Sequence, residues 1–268
     1  MQQHQRKSIA ARALIGACGG LAGAILATAA HAHFGMVIPS TGMVTDEKTR
    51  EVKVDFAFAH PFEREGMVLA RPAKIGVKGP GGEVDLNPQL KPLTLFGKPG
   101  FTVYYKLPKP GTYAFFMQPQ PYWEPAEDKF IVHYTKTYVS AFGNDEGWDE
   151  EVGLPTEIQP LSKPFGLYAG NVFQGIVKVD GKPAPFSEVE VEYYNQGIKP
   201  ISAPNPGMAT QTIKADANGV FTYAPPGPGW WGFAALNKAD YEIEHEGQKK
   251  EVELGAVLWV HFERWPGR

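Results

Sequence analysis

From residue 33 onward no window carries apolar residues at a sustained helical spacing. Short runs that alternate or are wholly apolar recur instead, each closed by Gly or Pro. A chain patterned this way must satisfy its backbone between strands. Val52-Lys53-Val54-Asp55-Phe56-Ala57-Phe58 alternates. Phe101–Tyr105 and Tyr113–Phe116 flank Pro108-Lys109-Pro110-Gly111, which reads as a turn. Phe130–Tyr134 and Lys136–Val139 follow as two further strands. The 30 Gly and 24 Pro show no period, which excludes collagen and favours many short elements. With 43% hydrophobic and 21% charged residues, neither a disordered chain nor a polytopic membrane protein is expected.

Residues 1–32 read as a secretory signal peptide. Arg6, Lys7 and Arg12 precede an uncharged Ala/Leu/Ile/Gly run that ends in Ala30-His31-Ala32, a small-x-small cleavage pattern. Only five uncharged residues separate Arg12 from Cys18, too few for a lipoprotein signal, so no lipid anchor is expected. Cleavage removes Cys18, the one cysteine, so the mature chain has neither disulfides nor cysteine ligands. It also removes three bases and no acid, moving the net charge from −3 to −6 and leaving no bulk electrostatic case for nucleic acid. The expected compartment is the periplasm.

A cut after Ala32 makes His33 the new N-terminus. Its α-amine, with a reference pKa of about 7.7–8.0, and its own imidazole can then chelate one metal. A cut after Ala30 gives His31-Ala32-His33 instead, which is also a copper and nickel chelating pattern. Either product begins with a metal-competent segment.

Five histidines lie beyond residue 32. His60 ends a strand in Phe58-Ala59-His60-Pro61-Phe62-Glu63, with the Pro restricting it and an acid three residues on; a carboxylate on one ring nitrogen would set the tautomer. Met36 and Met67 are nearby soft donors, although methionines in such places usually fill cores. His133 sits in an alternating strand, where a structural role is the commoner outcome. Tyr122-Trp123-Glu124-Pro125-Ala126-Glu127-Asp128 is an acidic, aromatic loop able to supply carboxylates, while its aromatics more simply cover a hydrophobic edge. His245, within Glu244-His245-Glu246, reads as part of a solvated charge run, and His261 as a strand-surface residue.

A second block begins near Gly166; within it Gly175-Ile176-Val177 leads to Asp180-Gly181-Lys182-Pro183-Ala184-Pro185 and Val189-Glu190-Val191. It continues with Asp216-Ala217-Asn218-Gly219-Val220-Phe221, where Asn-Gly is a hairpin signal, and Gly229-Trp230-Trp231. It resembles the transthyretin-like, or carboxypeptidase-regulatory-like, β-sandwich family. The expected architecture is all-β: a signal peptide at 1–32, an immunoglobulin-like or similar β-sandwich at 33–160, and a transthyretin-like β-sandwich at 166–268. The boundary is expected within Pro155 to Pro164.

The whole mature chain also resembles the periplasmic accessory proteins of bacterial nickel and cobalt uptake transporters. The matching stretches include His33-Phe34-Gly35-Met36-Val37-Ile38-Pro39-Ser40, His60-Pro61-Phe62-Glu63, Pro121–Asp128, Phe130–Lys136, Gly166–Phe173 and Gly229–Leu236. That resemblance implies a nickel- or cobalt-binding protein partnered by the membrane components of a transporter. His33, His60 and His133 are the candidate metal ligands, with nitrogen donors suited to Ni(II), Co(II) and Cu(II). A copper carrier or copper redox enzyme with an N-terminal His is the first alternative, and a metal-free interaction module the second. No G-x-S-x-G or H-E-x-x-H motif is present, so binding rather than catalysis is expected.

Overall fold

The computed structural model describes residues 33–267; the signal peptide expected at 1–32 lies outside them. Among the described residues no helix is long and apolar enough to cross a membrane. Regular structure there is β, with three single-turn 3₁₀ segments at Glu47–Thr49, Asn87–Gln89 and Pro206–Met208. The sequence pattern dictates this result: its apolar runs are strand-length, and Gly or Pro ends each one.

An 11-stranded sheet forms the spine. Its main path is Gln211–Lys214, Glu188–Tyr193, Gly229–Lys238, Val252–Glu263, Lys129–Ala141, Gly111–Gln118, Lys74–Gly79 and Gly82–Asp85. The joint is a parallel pair, Lys129–Ala141 with Val252–Glu263, in register from Phe130 opposite Val252 to Thr137 opposite Trp259. A five-stranded sheet containing Phe34–Pro39, Glu51–His60 and Lys98–Lys106 lies over one half of the spine. There Val52, Val54 and Phe56 pack with Ile75, Phe115, Ile131 and Val139. A four-stranded sheet containing Thr156–Pro160, Phe173–Val179 and Val220–Tyr223 lies over the other half. There Ile158, Phe173 and Val177 pack with Val191, Phe233, Leu258 and Val260.

The protein is therefore all-β with two sandwich cores, as expected. The expected blocks 33–160 and 166–268 each centre on one core but share the spine, and residues 33–267 fall in one compact unit. A third core joins them: Phe34, Met36, Ile38, Ala57 and Ala59 meet Trp230, Ala234, Val257 and Trp259. Strand Phe34–Pro39 thus buries both faces, which is why it reads as a continuous apolar run rather than an alternating one.

The expected turn at 108–111 joins two sheets: Lys98–Lys106 belongs to the five-stranded sheet and Gly111–Gln118 to the spine. Two local expectations change. The Asn218-Gly219 turn likewise carries the chain from the spine edge at Gln211–Lys214 to the four-stranded sheet at Val220–Tyr223. Both are sandwich corners, where local turn chemistry is the same but the partner strand differs. The runs 130–134 and 136–139 form one strand through Thr135, because the long parallel partner continues the ladder.

The expected boundary between Pro155 and Pro164 contains strand Thr156–Pro160 and an interior charge pair. Lys136 and Glu157 are both fully buried, with Nζ 2.5 Å from Oε2. The same carboxylate accepts the backbone N–H groups of Val152, Gly153 and Leu154. Those bonds satisfy its remaining lone pairs, the condition under which a buried ion pair is tolerated.

Candidate functional site

The backbone ladder brings the first two candidate ligands together. Phe34–Pro39 runs antiparallel to Glu51–His60 with Phe34 opposite Ala59, so the preceding residue, His33, reaches His60. The rings meet edge to face, centroids 4.7 Å apart at 76°. Only 8% of His33 is exposed. Pro61 and Phe62, which follow His60, are fixed from the other half of the chain. Asn195 donates its backbone N–H to the Pro61 carbonyl at 3.2 Å and its amide Nδ2 to the Phe62 carbonyl at 2.9 Å. The Phe62 N–H donates to the buried Glu192 carboxyl at 3.3 Å, and the Thr210 hydroxyl donates to the other oxygen of that group. Burial pushes Glu192 up to about 8.

The acidic loop supplies carboxylates, as its composition suggested. Tyr122–Glu124 pairs with the start of Lys129–Ala141, and the tip between them aims two acids at His33. His33 Nε2 lies 2.9 Å from Glu124 Oε2, and Nδ1 lies 3.8 Å from Glu127 Oε1. Burial, reinforced by the charge of His133, holds the His33 imidazole below its ordinary range against the pull of Glu124 and Glu127. Asp128 turns away to Lys250. Trp123 also turns away, stacking on His245 at 4.0 Å and packing on Phe130. His245 is thus part of an aromatic cover rather than a loose charge run. His261 is partly exposed beside Glu263, at 3.1 Å.

His133 lies next to this pair, across Phe58. The Phe58 ring stacks on His33 and meets His133 edge-on, with centroids 5.8 Å away in each case. His133 is 1% exposed, its Nε2 lies 3.3 Å from Glu253 Oε1, and its Nδ1 has no hydrogen-bond partner among the described residues. Lys129 Nζ bridges two carboxylates, 2.6 Å from Glu253 Oε2 and 2.6 Å from Glu127 Oε2. Burial alone would raise Glu253, but the His133 hydrogen bond and charge, with Lys129 behind them, hold it at about 2.

Two glycines make the packing around His133 possible. A Cβ on Gly255, directly opposite His133, would lie 2.2 Å from the ring's Cδ2 and 2.6 Å from Nε2. A Cβ on Gly35 would lie 2.1 Å from Thr135 Oγ1 and 3.2 Å from His133 Cβ.

The structure therefore brings His33 and His60 into contact and sets His133 on the other side of Phe58 from His33. Among the described residues no three His, Asp or Glu side chains are already gathered as a metal-holding group. Glu65 lies 3.9 Å from His60 Nδ1, and both it and Glu63, the acid expected there, are exposed. Met36 is wholly buried in the third core and Met67 packs on the first, so both act as core residues. Glu253, Lys129 and Gly255 were not anticipated. The sequence signal for Glu253 and Gly255 is a lone acid and a lone Gly inside the apolar run Val252–Val260, the Gly marking close backbone approach; Lys129 carries no such signal.

Fold and site together define an all-β protein of two sandwich cores with a buried histidine–carboxylate cluster at their junction. The chain belongs to the DUF4198 family, a domain of unknown function, whose model matches residues 30–239. No curated protein matches it. Among solved structures it is similar to the D0–D1 domain of intimin, at 12% identity over 87% of this chain and all of that one, with a TM-score of 0.23. It is also similar to trypsin-activated α2-macroglobulin from Escherichia coli, at 9% identity over 85% of this chain and 16% of that one, with a TM-score of 0.26. The fibronectin(III)-like modules of Clostridium thermocellum CbhA match at 8% identity over 83% of this chain and 95% of those modules, with a TM-score of 0.19. Neither the family description nor the names of these structures mention a metal or a transporter.

Proposed function

We propose that the mature chain is a periplasmic protein that binds a divalent transition metal, nickel or cobalt, and passes it to a membrane uptake transporter. The observation that carries the reading is the buried contact between His33 and His60, 4.7 Å between ring centroids, at the residue where signal cleavage would create a free amine. With Glu124 at Nε2, the neutral His33 ring keeps its lone pair on Nδ1, the nitrogen that would chelate together with the residue's own α-amine. His60 adds a second imidazole, and His133 is the next nitrogen donor. Such a set suits Ni(II) and Co(II) and intrinsically favours Cu(II), so supply in the compartment selects the cargo.

The reading is tested by titrating the exported, correctly cleaved protein with Ni(II), Co(II) and Cu(II), beside a form with one extra residue before His33. Tight binding by the cleaved form alone supports the amine chelate. Equal binding by both forms removes the amine from the site. Tightest binding of Cu(II), with turnover in the presence of reductant and oxygen, points to a copper redox enzyme. A second reading, a metal-free interaction module, draws on the absence of a preassembled three-residue group among the described residues. Failure of both forms to bind any of the three ions refutes the metal reading and favours this one.

A further inference from the structure

We infer that Glu253 is a positioning residue that makes His133 Nδ1 a metal-donor nitrogen; this rests on the metal-binding reading of His33 and His60. A carboxylate only accepts hydrogen bonds, and a neutral imidazole carries one proton. With Glu253 Oε1 3.3 Å from Nε2, the proton sits on Nε2 and the lone pair on Nδ1. Nδ1 is buried in a residue only 1% exposed and has no partner among the described residues. Buried polar atoms in folded proteins are nearly always satisfied, so an orphan of this kind is a functional marker. A carboxylate on one ring nitrogen with a metal on the other is the usual supporting arrangement for a histidine ligand.

Three further contacts hold the arrangement. Lys129 occupies the second oxygen of Glu253 at 2.6 Å, which leaves Oε1 to the ring. The missing side chain of Gly255 gives the imidazole its seat against the neighbouring strand. The edge of Phe58 bounds it on the side of His33, 5.8 Å between centroids in each case. Lys129 also grips Glu127, whose other oxygen faces His33, so one ammonium ties together the carboxylates that address both histidines.

The test uses ¹⁵N NMR of the imidazoles in cleaved, metal-free protein at pH 8, followed by Ni(II) titration, for wild type, Glu253→Gln and Glu253→Ala. Wild type is expected to show His133 protonated on Nε2. Glu253→Gln, whose amide oxygen still accepts, retains that tautomer and binds Ni(II) within a few-fold of wild type. Glu253→Ala loses the preference and binds about 10–100-fold more weakly. A wild-type His133 protonated on Nδ1 overturns the inference, and this spectrum decides even if Glu253→Ala fails to fold. Unweakened Ni(II) binding by folded Glu253→Ala overturns the positioning role while the metal reading stands. No Ni(II) binding by wild type overturns both.

Discussion

Replacing Gly255 with alanine tests whether the His133 seat is built by the missing side chain. Gly255 does not have a positive φ, so alanine is allowed there by the backbone. In an unobstructed strand the change would stabilise by about 0.4–1 kcal/mol, through a less flexible unfolded chain. Here the new Cβ would stand 2.2 Å from Cδ2 of His133, far inside the roughly 3.5–4.0 Å at which carbon atoms pack. The ring has little room to give, with Phe58 on one side and Glu253 on its Nε2. Overpacking of this kind costs about 1–3 kcal/mol, and the depth of the clash places it at about 3 kcal/mol. At about 2–4 °C per kcal/mol for a chain of this size, the midpoint of thermal unfolding falls by about 6–12 °C. Removing the ring relieves the clash, so a cycle of Gly255→Ala, His133→Ala and the double variant shows coupling of about 2 kcal/mol. An unchanged or raised melting temperature for Gly255→Ala, or a strictly additive cycle, would refute the argument.

Trp231→Ala lowers stability by about 3–5 kcal/mol in denaturant unfolding: the ring is 8% exposed and its Nε1 donates to the Gly227 carbonyl at 2.9 Å. A midpoint equal to wild type would show that the ring contributes no packing. Lys136→Met leaves the buried Glu157 carboxylate without its cation and costs about 3–5 kcal/mol. The three backbone N–H donors to Glu157 hold the loss near the lower end, and a loss under about 1 kcal/mol would contradict the pairing. Glu192 moves from 4.5 unfolded to about 8 folded, so between those values the folded state keeps a proton the unfolded state has lost. Its contribution is complete below about pH 4.5 and declines toward pH 8, by at most about 1.4 kcal/mol per pH unit. Glu192→Gln flattens that slope in pH-dependent thermal unfolding, and a slope identical to wild type would show that the group titrates normally.

The sequence by itself determined the class of structure and most of the parts. Gly- and Pro-bounded runs of strand length leave no alternative to pairing between strands, and the separate apolar sets in the two blocks foreshadow two cores. His33, His60 and the acidic loop were legible because their chemistry is carried by residue type and by neighbours along the chain. Tertiary structure alone decided which strands pair and what each histidine faces. The parallel ladder between Lys129–Ala141 and Val252–Glu263 unites residues more than a hundred positions apart, and no local propensity encodes such a register. That ladder places Gly255 and Glu253 at His133. The turns at 108–111 and 218–219 show the same division. Gly and Pro specify that the chain bends there, whereas burial of apolar faces from both halves decides which sheet receives the next strand.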